Sequence, residues 1–194
     1  MKFLVLYAHP METSYQSALH DTVVTALRDA GHTVDDCDLY AEGFQAVLSR
    51  AERDQYHDTS TNQSTVTKDV QRLLDCEGLI FVFPTWWYGL PAILKGYFDR
   101  VWLPGVAFDV SGPKTTPLLT KITRLGVVTT FGSPWWLNNL YVRNPNRTLF
   151  LRGIRRLVSP QARTLWLARY GMDYIDKSTR ERFLQRVRSK MLEF

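Results

Sequence analysis

Residues 78–102 read GLIFVFPTWWYGLPAILKGYFDRVW. The run from Leu79 to Phe83 has the length of a strand and no polar face, which predicts a central strand covered on both sides. Pro84 ends the run. After a loop from Pro84 to Leu90, the residues Ile93, Leu94, Tyr97, Phe98, Val101 and Trp102 recur at helical spacing, with Pro91 where a helix begins. A buried strand leading through a short loop into an amphipathic helix is one unit of an α/β fold.

The same alternation extends in both directions. Upstream, Lys2 to Ala8 predicts a strand, and Ala18, Leu19, Val23, Ala26, Leu27 and Ala30 predict a helix from Tyr15 that stops at Gly31. A weaker strand, Thr33 to Leu39, carries acidic residues that place it nearer the sheet edge. Tyr40 to Ser64 shows no sustained period and predicts a long excursion with one helical turn, followed by a helix from Val66 to Cys76. Downstream, a Pro- and Gly-containing connection from Pro104 to Pro117 precedes a strand over Leu125–Phe131. A helix over Asn146–Leu157, a strand over Arg163–Ala168 and a final helix carrying Phe183, Leu184, Val187 and Met191 complete the pattern. Five strands alternating with helices predict a doubly wound parallel α/β sheet, and 194 residues suit one domain, 1–194.

Composition narrows the class. Apolar residues make up 45% and charged residues 22%, the balance of an ordinary globular protein. The two cysteines, Cys37 and Cys76, are too far apart for a CxxC motif, so a reducing cytoplasm is the expected setting. No stretch approaches the roughly 18 apolar residues of a membrane-spanning helix, so membrane contact would be peripheral at most. Residues up to 140 carry 11 basic and 15 acidic groups, whereas Tyr141 onward carries 13 and 4. That surplus could favour a phosphate-bearing ligand or an anionic surface, or simply be a solvated face. No nucleic-acid motif accompanies it, so no specific nucleic-acid partner is expected.

In a doubly wound sheet, ligands sit beyond the carboxyl ends of the strands. The first such loop, HPMETSYQS, has none of the glycines of a dinucleotide fingerprint. Thr13 and Ser14 instead stand at the opening of the first helix, where free amides attract an anion, although Thr13 and Gln16 also match a capping box. His9 has no metal-ligand pattern around it; it suits a donor to a phosphate or ribose, or a histidine fixing its own loop. In the third loop, Trp86, Trp87 and Tyr88 cannot all enter one core because neighbours on an extended chain face different ways. They suit a platform for a planar ring, or an interface patch. The fourth loop brings Thr129, Thr130 and Gly132 to a strand end. Trp135 and Trp136 carry no assigned role, and no nucleophile elbow, zinc helix or Walker loop occurs.

Four stretches, YAHPMETSYQSAL, LYAEGFQAVLS, FPTWWYGLPAILKGYFDRVW and TTFGS, are similar to the NAD(P)H:quinone oxidoreductases of the DT-diaphorase type. The resemblance implies a flavodoxin-like strand order of 2-1-3-4-5 and a bound flavin, FAD with FMN as the alternative. It implies phosphate contacts from His9, Thr13, Ser14, Tyr15 and Gln16. Ring contacts are implied for Pro84, Thr85, Trp86, Trp87 and Tyr88, and edge contacts for Thr129, Thr130 and Gly132. It further implies NAD(P)H as donor, a small quinone-like acceptor, a ping-pong order and a homodimer. A non-enzymatic flavin-binding electron carrier, or a regulatory subunit of a membrane protein docking through Arg152, Arg155 and Arg156, is the alternative function. Phe131 stands where the family has glycine and is expected to narrow the acceptor pocket or shift the ring. No residue matches the family's Tyr and His after this loop, so no catalytic side chain is assigned. A preference for NADPH would need a basic contact to the ribose phosphate.

Overall fold

The computed structural model describes residues 1–194. Five strands, β1 (Lys2–Tyr7), β2 (Thr33–Asp38), β3 (Gly78–Pro84), β6 (Arg124–Thr130) and β7 (Arg163–Arg169), pair in parallel in the order β2-β1-β3-β6-β7. Numbered among themselves, these are 2-1-3-4-5, the predicted order. The entirely buried β3 lies at the centre, and the acidic β2 is an edge. Between β3 and β6 the Pro- and Gly-containing connection forms a small antiparallel ribbon of β4 (Phe108–Asp109) and β5 (Thr116–Pro117).

Alternation along the strands builds two cores. Leu4, Leu6, Leu79, Phe81 and Phe83 face one side, where Val70 and Leu73 of α3 (Thr67–Asp75) and Leu94 and Tyr97 of α4 (Ala92–Val101) cover them. Phe3, Val5, Tyr7, Ile80 and Val82 face the other, under Leu19, Val23 and Leu27 of α1 (Tyr15–Asp29) and Phe183, Val187 and Met191 of α6 (Lys177–Leu192). Burial on both faces explains why these strands read as near-continuous apolar runs. Gly31 follows α1 at a φ of 82°, the left-handed conformation that closes a helix, as its position predicts.

Two regions carry detail beyond the sequence reading. The long excursion holds α2 (Arg50–Asp54), capped by Ser49 and Glu52 in a reciprocal box. It is tied to α4 and to the chain that follows it: Arg100 donates to Glu52 Oε1 at 2.8 Å through Nε and also to Gln45 O, while Asn62 Nδ2 donates to Pro104 O, beyond the helix, at 3.0 Å. The helix expected over Asn146–Leu157 is present but irregular. It starts as α5 (Pro145–Thr148), widens to π-type turns over Leu149–Gly153 and tightens to a 3-10 turn over Ile154–Arg156. Arg155 does not join a free basic face with its neighbours, because its guanidinium donates to Ser159 O and Pro160 O at 2.8 and 2.6 Å.

Candidate functional site

The loops after β1, β3 and β6 meet at the carboxyl edge of the sheet, and side chains within them fasten one to another. Thr130 Oγ1 donates to Gln16 Oε1 at 3.0 Å, joining the fourth loop to the start of α1. Thr85 and Thr129 share a hydroxyl contact of 3.0 Å. Asn146, buried beneath the third loop, donates from Nδ2 to Thr85 Oγ1 at 3.1 Å and to Gly89 O at 3.2 Å. Gln16, Thr129 and Thr130 are themselves buried. Their polar groups hold the loops in register, and the outward surface is left to backbone and aromatic groups.

The third loop is a tight turn. Trp86 N donates to Gly89 O at 3.2 Å and Gly89 N to Trp86 O at 2.9 Å, while Trp87 and Tyr88 between them adopt φ values of 51° and 60°. Glycine or asparagine ordinarily fills such positions, and bulky residues there cost about 1–3 kcal/mol each. The turn sends Trp87 into solvent, 98% exposed, and leaves Trp86 and Tyr88 part-covered. The Trp86 ring stands 5.9 Å from His9 at 56°.

Two adjoining recesses share Thr85, Trp87 and Gly132. One, of about 250 Å³, runs towards Tyr88, Ser133 and Asn138; the other, of about 350 Å³, runs towards Trp86, Met172 and Asp173. Together they fall in the size range of small-molecule pockets, about 300–1,000 Å³. The amides of Trp87, Tyr88, Gly132 and Ser133 have no internal acceptor. They are available as donors around the recess. A Cβ on Gly132 would lie 2.8 Å from Asp173 Oδ2, so glycine here lets the carboxylate press against the turn. Asp173 is the only acidic residue lining either recess.

Beside the recess, α1 opens with Ser14 as its cap, Ser14 Oγ accepting from Ser17 N at 3.1 Å. The capping box of Thr13 and Gln16 does not form: Thr13 is exposed, and Gln16 is turned inward to Thr130. The amides of Thr13, Tyr15 and Gln16 lack internal partners, so the helix start can take an anion. His9 accepts from Met11 N at 3.1 Å through Nδ1, which fixes its own loop. The Tyr15 hydroxyl donates to Arg180 O at 2.8 Å, and burial pushes it up to about 12. Its hydroxyl therefore serves the packing of α6 on α1, while its amide remains at the helix opening.

A family model described as flavodoxin-like fold, Flavodoxin_2, matches residues 1–150. The chain belongs to this family. Among curated relatives, the ribosyldihydronicotinamide dehydrogenase [quinone] of Pongo abelii is 34% identical over 148 residues, covering 68% of this chain and 64% of that one. The matched segment thus spans just under two thirds of that relative's length. Among solved structures, Smu.1420 from Streptococcus mutans UA159 superposes with a TM-score of 0.85 at 27% identity, over the whole of both chains. An NAD(P)H:quinone oxidoreductase from Methanothermobacter marburgensis gives 0.84 at 26%, covering 99% of this chain and 98% of that one.

Phe131, which follows β6, lines the recess that runs towards Tyr88 and Ser133. It is 3% exposed and stacks on Tyr170, with ring centroids 4.7 Å apart and planes at 22°. It forms part of the recess wall. Asn146, Asn138 and Asp173 are site residues that sequence reading missed. Asn146 begins a predicted helix and carries no motif, and Asp173 lies in the loop after β7, beyond the three loops singled out.

Proposed function

We propose that this chain is a flavin-dependent oxidoreductase that passes two electrons from NAD(P)H to a quinone or a similar flat electrophile. The observation that carries this reading is the turn at Trp86–Gly89. Aromatic rings, a pocket and four unpartnered amides converge there next to the open start of α1. A flavin matches that set: its phosphate suits the amides of Thr13, Tyr15 and Gln16, its ring suits the recess at Thr85, Trp86 and Gly132, and its polar edge suits the free amides. When bound, a flavin takes a hydride from a nicotinamide and returns two electrons to an acceptor. The quinone-acting relatives in the same family support that acceptor class. FAD is the proposed form and FMN the alternative.

The chain's own contribution is positioning. The Asn146 hydrogen bonds hold the aromatic turn, with Trp87 and Tyr88 in the left-handed conformation. The amides of Gly132 and Ser133 offer fixed dipoles to a ring edge that gains electron density, the condition under which preorganised donors are most effective. Met172 and Trp86 wall the second recess and limit water. Donor and acceptor use one groove in turn, a ping-pong order, with the balance NAD(P)H + H⁺ + quinone giving NAD(P)⁺ + hydroquinone. The proposed assembly is a homodimer in which a second copy covers the exposed Trp87 and Val47, and the proposed setting is cytoplasmic. No helix is long and apolar enough to cross a membrane.

The test is steady-state oxidation of NADPH by the flavin-loaded protein with a water-soluble quinone. Parallel lines in double-reciprocal plots, and reoxidation of the reduced protein by quinone faster than by oxygen, are expected. Reoxidation no faster than by oxygen for any quinone, azo or nitro acceptor would refute the reading.

A further inference from the structure

The basic surplus of the last quarter has a focus next to the proposed ring site. Asn146 holds the aromatic turn from below, and its neighbour Arg147 lines a separate pocket of about 120 Å³ with Arg143, Arg152, Asn139, Asn144 and Thr148. None of the three guanidinium groups meets a carboxylate or donates a hydrogen bond within the protein. Half of the other arginines are engaged, among them Arg72 with Asp35, Arg100 with Glu52, Arg188 with Asp29 and Arg155 with carbonyls; what sets Arg143, Arg147 and Arg152 apart is that all three line one pocket. Three unpaired cations around one small pocket repel each other unless an anion joins them.

The pocket has a rigid floor. Asn144 is buried, at 4% exposure; it accepts from Arg147 N at 3.1 Å and donates to Asn139 Oδ1 at 3.1 Å and Tyr170 Oη at 2.9 Å. Asn139 and Arg147 are shared with a larger cavity of about 520 Å³, walled by Trp135, Trp166 and Tyr170 with Arg186 at its side. An anion pocket opening into an aromatic cavity fits a phosphorylated purine nucleoside, whose ring stacks on aromatic faces and whose ring nitrogens accept hydrogen bonds. Asn138, adjacent to Asn139 in sequence, lines the recess at Trp87 and Tyr88. The two sites are therefore next to each other along the chain and in space.

We propose that Arg143, Arg147 and Arg152 bind the 2′-phosphate of NADPH, with its adenosine in the cavity beside Trp135, so that the protein prefers NADPH to NADH. This rests on the reading of the neighbouring recess as the nicotinamide-accepting site. Three guanidinium groups match a dianionic phosphate monoester better than the pyrophosphate of FAD, which carries one charge on each phosphate. The anion place for FAD is the start of α1.

The proposal is tested by calorimetric titration of the purified protein with adenosine 2′,5′-bisphosphate, ADP and inorganic phosphate, a readout that needs no turnover. Adenosine 2′,5′-bisphosphate is expected to bind at least about tenfold more tightly than ADP and to weaken steeply with salt. Arg147→Gln combined with Arg152→Gln is expected to abolish that ratio, while Lys177→Gln, on an exposed lysine of α6, leaves it unchanged. Equal affinity for adenosine 2′,5′-bisphosphate and ADP, or a ratio that survives the arginine substitutions, would overturn the proposal, as would binding of inorganic phosphate alone. Because binding is read without reduction, a protein that discriminates the two nucleotides yet oxidises neither NADPH nor NADH would sink the oxidoreductase reading and leave the pocket standing.

Discussion

Replacing Asn146 tests whether the aromatic turn is held by hydrogen bonds or merely by packing. Asn146 is 3% exposed and donates twice, to Thr85 Oγ1 and Gly89 O. Both acceptors keep another partner, Thr85 through Thr129 and Gly89 O through Trp86 N, so Asn146→Ala orphans neither. Two net hydrogen bonds at about 1 kcal/mol each give a loss of about 2 kcal/mol. For a chain of this length that corresponds to a fall in Tm of about 4–8 °C. Asn146→Asp is the sharper variant. It keeps the shape but turns an ionised carboxylate towards the Gly89 carbonyl, so it should destabilise more than alanine at pH 7 and recover part of the difference in acid, where a protonated carboxyl can donate. Thermal melts followed by near-ultraviolet circular dichroism, with a flavin titration on each variant, measure both effects; flavin affinity should fall about fivefold or more as the left-handed turn relaxes. If the aspartate variant melts like the wild type, the hydrogen-bond account of the turn is wrong.

Other consequences follow from single contacts. Glu52 is pushed up by burial, but hydrogen bonds from Thr65, the Ser49 amide and Arg100 outweigh this and hold its carboxyl at about 2, below an ordinary value of 4.5. A depressed folded-state value stabilises the protein above about pH 4.5, and this contribution, on the order of 3 kcal/mol, is lost as pH falls towards 2. Glu52→Gln should lower stability at pH 7 and flatten the acid limb of a urea-midpoint series; an unchanged acid limb would show that the Glu52–Arg100 tie contributes nothing. Gly96 on α4 faces the chain at Ala46, where an added Cβ would sit 2.1 Å from the Ala46 carbonyl oxygen. Although alanine favours a helix by about 1 kcal/mol, Gly96→Ala should destabilise by about 1–3 kcal/mol, and a rise in Tm would contradict that contact. Asp173 places a negative charge beside Gly132, so Asp173→Asn should raise the midpoint potential of a bound flavin by on the order of 20–40 mV. A potential that stays the same or falls, in spectroelectrochemical titration, would remove Asp173 from the site.

The sheet was legible because each parallel strand is buried on both faces and announces itself as an apolar run, with β3 the plainest case. The three loops at its carboxyl end followed from that topology. The division of labour within the loops did not. Gln16, Thr129 and Thr130 have the chemistry of ligand contacts, yet they spend it on one another and on Thr85 across more than 40 residues of sequence. Composition cannot show which of two eligible partners a hydroxyl will find. The same limit hid the bracing of the 40–64 segment, whose ties to Arg100 and Pro104 are long-range and leave no local period. The stacking of Phe131 on Tyr170 is of the same kind: the two residues follow the paired strands β6 and β7, so only the sheet order brings them together.

The most direct test of the central claim is a titration of the flavin-free protein with FAD and with FMN, read by flavin absorbance and by quenching of tryptophan fluorescence. The account predicts one flavin per chain, and a marked loss of affinity in Trp86→Ala and in Gly132→Val. Failure of both flavins to bind, or binding that neither substitution weakens, would contradict the placement of a flavin at the three loops.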